Sequence, residues 1–189
     1  LKNVAVFASG FGSNFIKIHQ NIEKGIIPAK LALFVSDQKD APSVSYAINQ
    51  KIPFYVFCAK DFADKKAYEL HVLEHLRKQH VDLIILAGYM RIIGKTLLDA
   101  YPNKIINIHP SLLPLFKGKH AIERAWNAKE KKTGVTIHFV DEKIDHGKII
   151  LQQSIDINHS SIEELTDDIH KVEHDLYTKA ICHVLEDLK

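Results

Sequence analysis

Val4-Ala5-Val6-Phe7-Ala8-Ser9-Gly10-Phe11-Gly12-Ser13-Asn14 is the stretch whose reading decides the fold. A short apolar run passes directly into a glycine-rich turn, and residues 13–24 then carry helical spacing, the signature of a buried strand feeding a helix. The same alternation recurs along the first half. Strands are expected at 4–8, 31–35, 54–57, 83–87 and 105–108, with helices around 13–24, 41–50, 64–79 and 94–101. Sequential βα units with short right-handed connections make a parallel sheet with helices on both faces.

After Pro110 the texture changes. Ser111-Leu112-Leu113-Pro114-Leu115-Phe116-Lys117-Gly118 reads as an irregular loop, followed by a helix near 119–129. Residues 134–140 and 148–154 look like two further strands joined by a polar turn, extending the sheet in antiparallel fashion. The last segment is a helix opened by Ser161 and Glu164 as a capping box, with Ile162, Leu165, Ile169, Val172, Leu176 and Ala180 along one apolar stripe. Glu173 falls within that stripe, so its carboxylate should face the body of the protein, where charges are rarely left unpaired.

The 189 residues are 46% hydrophobic, enough for one substantial core and few for two, so 1–189 reads as a single domain. With 25 Lys and Arg against 23 Asp and Glu, the net charge of +2 gives no global reason to expect nucleic acid or membrane as partner. No apolar run is long enough to span a bilayer, and Leu1-Lys2-Asn3-Val4 lacks the layout of a signal peptide, so a cytoplasmic protein is expected. Cys58 and Cys182 belong to no CxxC pair and are given no chemistry. His71 with His75, and His170 with His174, match the HxxEH pattern of zinc peptidases. The first pair points away from Leu70, Leu73 and Leu76, which marks a solvated face, and no third ligand is evident, so no metal is expected.

Three constellations remain. The turn Gly10-Phe11-Gly12-Ser13-Asn14 offers free amides and a helix dipole to a phosphate. Its competitor is dinucleotide binding, with Asp37 after the second strand as the ribose acid, but Phe15 stands where the third glycine of that motif belongs, so no NAD is expected. Asn107 and His109, two apart on a strand, share a face while Ile106 and Ile108 take the other. They lie at the carboxyl end of that strand, where open α/β sheets bind ligands. Asp145, in the acidic turn Asp141-Glu142-Lys143-Ile144-Asp145-His146-Gly147, supplies a carboxylate able to orient and charge an imidazole, or merely forms the turn.

These segments, together with Leu86-Ala87-Gly88-Tyr89-Met90-Arg91, Asn107-Ile108-His109-Pro110-Ser111-Leu112-Leu113-Pro114 and Gly134-Val135-Thr136-Ile137-His138-Phe139-Val140-Asp141, resemble in order and spacing the motifs of the glycinamide ribonucleotide formyltransferases. The resemblance covers nearly the whole chain. It implies a Rossmann-like α/β fold, with phosphate and nucleotide bound in 1–100 and catalysis and folate binding in 101–189. It also implies transfer of a formyl group from 10-formyltetrahydrofolate to the amine of glycinamide ribonucleotide in purine biosynthesis, and it leaves room for a homodimer.

Asn107, His109 and Asp145 would then be catalytic. Gly12, Ser13 and Asn14 would hold the substrate phosphate, assisted by Lys65 where relatives carry arginine, and Gly118, His120 and Glu173 would contact glycinamide and ribose. Met90, Arg91, Ile92, Ile93, Val140 and Asp141 would border the folate. Lys117 and Lys148 stand where the family favours proline. A deformylase would use the same triad with water as nucleophile, but has no use for a phosphate turn. A non-catalytic nucleotide-binding module would have no use for the triad.

Overall fold

A computed structural model describes residues 1–188. In chain order the elements are β1 (Lys2–Phe7), α1 (Ser13–Glu23), β2 (Ala29–Ser36), α2 (Pro42–Asn49), β3 (Phe54–Val56), α3 (Lys65–Lys78), β4 (Leu83–Leu86), α4 (Lys95–Ala100), β5 (Ile105–His109), α5 (Ala121–Asn127), β6 (Lys132–Phe139), β7 (Ile149–Asp156) and α6 (Ile162–Asp187). The strands form one sheet in the order β3-β2-β1-β4-β5-β6-β7. The first five strands are parallel, and β6 and β7 add antiparallel. β4 pairs directly with β5, so the sheet is continuous past residue 100.

This order explains where a ligand can enter. The chain winds outward from β1 to β3, then returns to β4 on the other side of β1. The connections leaving β1 and β4 therefore diverge and open a crevice at the carboxyl ends of those strands.

Both faces of the parallel strands are covered, which is why their sequences are mostly apolar, with Asn107 and His109 of β5 as exceptions. Val4 and Val6 join the layer formed with α1, α2 and α6, whereas Ala5 and Phe7 join the layer formed with α3 and α4. Phe15, in the place of the missing glycine, is fully buried and stacks on Phe34 with ring centroids 4.2 Å apart. An aromatic side chain thus seats α1 on the sheet where a dinucleotide-binding turn would need close backbone contact.

On α3 Leu73 and Leu76 are buried as expected, but Leu70 is exposed, and Tyr68, Glu69 and Val72 complete the buried face. The paired histidines are also not simply solvated, since His75 stacks on Tyr55 at 3.8 Å between centroids. No group of three or more His, Cys, Asp or Glu side chains among the described residues is placed to hold a metal ion. Cys58 and Cys182 are both free thiols.

Ser161 caps α6 by accepting from the Glu164 amide at 3.2 Å, while the Glu164 carboxylate accepts from the Ser160 amide at 2.9 Å. Farther along the helix Tyr177 is fully buried, and its hydroxyl donates to the Leu86 carbonyl at 2.7 Å and lies 3.3 Å from that of Ile106. α6 is thereby fastened beneath the ends of β4 and β5.

Candidate active site

The turn after β1 ends at Gly12, which caps α1 in the left-handed region at φ 78°. A Cβ there would lie 2.8 Å from the Ser43 Cβ, so both backbone angle and space demand glycine. Ser43, buried at the start of α2, donates from its hydroxyl to the Gly10 carbonyl at 2.7 Å. The turn is thus held from behind, and no side chain caps α1, which leaves the first-turn amides for an anion.

The Asn14 amide donates to the Glu173 carboxylate at 3.2 Å, joining the phosphate turn to α6. Glu173 is buried as its position in the stripe implies, and no salt bridge among the described residues accounts for it. Burial raises its pKa above the ordinary carboxyl value, against the nearby His170 and the Asn14 bond.

Asn107 and His109 lie on the same face of β5, with Ile106 and Ile108 in the opposite layer. Their partners on β6 are His138 and Thr136 respectively. His109 Nδ1 is 3.4 Å from Asp145 Oδ2, and the Gly118 amide donates to the same oxygen at 2.7 Å. The other carboxylate oxygen is 3.6 Å from His138 Nε2. One carboxylate therefore faces two imidazoles and one amide. Burial alone would push Asp145 up, but the nearby His138 ring, the Gly118 bond and the His109 ring outweigh it and hold the carboxyl below its usual range.

His109 Nε2 lies 2.8 Å from the Phe116 carbonyl. A carbonyl only accepts, so Nε2 carries a proton, and Nδ1 is the ring nitrogen that faces Asp145. Asp145 favours a charge on that ring, as expected, but burial, together with His138 and Arg124, lowers the imidazole pKa by more than the Phe116 bond and Asp145 raise it. The loop supplying that carbonyl is pinned: Thr136 donates to the Ser111 carbonyl at 2.7 Å, and Ser111 donates to that of Leu115 at 2.6 Å. The Leu113-Pro114 bond is cis.

Met90 and Ile92 project into solvent beyond β4. Ile93 does not, because its side chain packs into the α3 and α4 layer, which leaves only its backbone for a ligand. Arg91 Nε donates to Asp37 at 2.8 Å, so Asp37, the acid a ribose would need, is already engaged. Val140 packs against the same layer, and Asp141 accepts from the His146 ring at 2.8 Å and from the Lys143 amide.

Lys65 is not brought to the phosphate turn. It opens α3, and its Cδ would meet a Cβ on Gly94, across the sheet from α1. The α3 helix belongs to the layer opposite α1, and a strand sequence alone does not say which face its connecting helix takes. His120 caps α5 at φ 58° with an exposed ring, two residues past Gly118. Sequence reasoning missed Ser43 and His138. The alternation that selects Asn107 and His109 also selects Thr136 and His138 between Val135 and Ile137, so His138 had a signal; Ser43 had none.

The formyl transferase family profile matches residues 2–181. The chain is 46% identical over 186 residues to the phosphoribosylglycinamide formyltransferase of Bacillus subtilis, covering 98% of this chain and 95% of that protein. The Haemophilus influenzae protein of the same name is 37% identical, with 96% and 86% covered. Among solved structures, phosphoribosylglycinamide formyltransferase from Bacillus halodurans superposes with a TM-score of 0.95 at 44% identity, over 100% of this chain and 97% of that one. Glycinamide ribonucleotide transformylase 1 from Geobacillus kaustophilus gives 0.95 at 46% identity, over 98% and 99%.

Proposed function

The chain belongs to the formyl transferase family and transfers a formyl group in purine biosynthesis, and we propose that Asn107, His109 and Asp145 carry that transfer from 10-formyltetrahydrofolate to the amine of glycinamide ribonucleotide. The observation that carries the reading is the His109–Asp145 contact of 3.4 Å beside Asn107. It lies at the end of β5, two strands from the amide-rich turn after β1.

The acceptor phosphate lies on the amides of Gly12, Ser13 and Asn14 at the start of α1. Glu173 and the Gly118–His120 loop take the ribose and glycinamide. The exposed Met90 and Ile92 side chains, with Val140 and Asp141, suit one flat apolar face and one polar edge of the donor. Lys65 stands on this donor side, beside Gly94.

An amine of pKa about 8 is partly unprotonated near neutrality, so no strong base is required. Its nitrogen bonds to the formyl carbon, the formyl oxygen gains negative charge, and the Asn107 amide donates to that oxygen. The bond from the carbon to the folate nitrogen then breaks. The proton shed by the attacking amine passes to His109, where Asp145 stabilises the doubly protonated ring. His109 then turns Nε2–H from the Phe116 carbonyl to the leaving nitrogen and gives up that proton, which returns the ring to its neutral form.

Mixing the protein with 10-formyltetrahydrofolate, with and without glycinamide ribonucleotide, tests the proposal. Donor consumption should require the amine. Equal consumption without it would make the site a hydrolase using water.

A further inference from the structure

We propose that Asp37 and Glu69 are positioning residues that clamp residues 90–94 at its two ends and so set the affinity for the formyl donor. This rests on the reading that Met90, Arg91 and Ile92 border that donor.

At the first end Asp37 Oδ2 accepts from Arg91 Nε at 2.8 Å, and Oδ1 accepts from the Ser9 hydroxyl at 2.6 Å. The Ser9 oxygen in turn accepts from the Met90 amide at 2.9 Å, and the Ser9 amide donates to the Gly88 carbonyl at 3.1 Å. One carboxylate thus ties together the chain segments leaving β1, β2 and β4. The Arg91 guanidinium also lies over the Tyr68 ring, 5.6 Å from its centroid.

At the second end the Glu69 carboxylate accepts from the Gly94 amide at 2.6 Å. A Cβ on Gly94 would approach Glu69 Oε2 to 2.8 Å, so glycine is what lets the chain come this close. Both acids are buried, Asp37 to 5% and Glu69 to 2% exposure. Between the two anchors Met90 and Ile92 stand 68% and 52% exposed.

Buried carboxylates are costly, and apolar side chains of similar volume often serve stability as well or better. Two of them converging on one short exposed segment are therefore poorly explained by stability. What they supply is direction: charge-assisted bonds fix backbone and side-chain geometry that packing alone would leave loose. The clamp holds an apolar ledge rigid in water, so the donor meets a surface already in place.

Asp37→Asn and Glu69→Gln keep the shape and remove the charge. Each should raise the KM for 10-formyltetrahydrofolate about tenfold. The KM for glycinamide ribonucleotide should stay within about twofold and kcat within about threefold, because neither acid bonds to Gly12, Ser13, Asn14 or the triad. Ser9→Ala cuts the link to the Met90 amide without touching a charge and should show the same selective rise, which keeps the test decisive if a carboxylate variant does not fold. Met90→Ala and Ile92→Ala provide the reference. If those two raise the donor KM while the clamp variants lower only the melting temperature, or raise both KM values alike, the clamp is merely structural and the proposal falls. If Met90→Ala and Ile92→Ala leave the donor KM unchanged, the donor-side reading fails and takes the clamp with it.

Discussion

Burial opposes a charge on His109 while Asp145 favours one. That balance is useful where a proton must come and go. A ring already paired as a full ion would release Nε2–H reluctantly, and one without Asp145 would hold a second proton less readily. The pair should therefore behave as one unit. His109→Ala should cripple turnover, and Asp145→Asn alone should be severe but should add little in the His109→Ala background. Asn107→Ala should cost about two to three orders of magnitude in kcat with ligand affinities little changed, since its donor meets charge that develops only after attack. Single-turnover rates across the double-mutant cycle check this. Simple multiplication of the Asp145 and His109 losses would mean the 3.4 Å contact has no part in proton handling. The strand period of two made Asn107 and His109 legible as a pair. The long-range approach of Asp145 had no local signal, because a turn's sequence does not say which strand it folds over.

α6 places Glu173 against the phosphate turn, and Tyr177, one turn later, fixes the depth at which the helix sits. Its hydroxyl is close to two buried strand carbonyls. Tyr177→Phe leaves the Leu86 carbonyl without that donor, a loss of about 1–2 kcal/mol, and should lower the melting temperature by about 2–8 °C in a chain of this size. If the anchor also sets the helix register, the KM for glycinamide ribonucleotide should rise while the donor KM holds. An unchanged melting temperature would show that packing alone seats α6. The elements themselves were legible because burial on both faces leaves mostly apolar runs and the connections are short. What escaped was where a helix's inward face ends and which sheet face a helix covers. Leu70 is exposed and Glu69 buried on α3 because Glu69 meets the Gly94 amide, a contact made across sequence. Lys65 followed α3 to the layer opposite α1, and Ile93 entered the core because the chain there must turn back into α4.

Across the whole molecule the titrating groups pull stability in opposite directions. His109 and His174 are both lowered, chiefly by burial, so the unfolded chain binds more protons as pH falls below about 6.5 and stability declines there. Asp145, held below its ordinary range, adds stability above the unfolded carboxyl value that is lost as pH falls through the folded one. Glu69 and Glu173 carry the other sign. Burial raises both, so ionising them costs more in the folded than in the unfolded chain and stability is lost as pH rises from the unfolded carboxyl value through the folded ones. Glu173→Gln removes one such loss. Its melting temperature should match the unsubstituted protein near pH 4 and exceed it at pH 8, with the gain appearing as Glu173 would otherwise ionise. The same change should raise the KM for glycinamide ribonucleotide at pH 8, because the carboxylate beside Asn14 is disfavoured by the fold and has a use only when substrate is bound. Equal melting temperatures at both pH values would remove the buried charge as a factor. A stability gain without a change in KM would leave Glu173 without a part in acceptor binding.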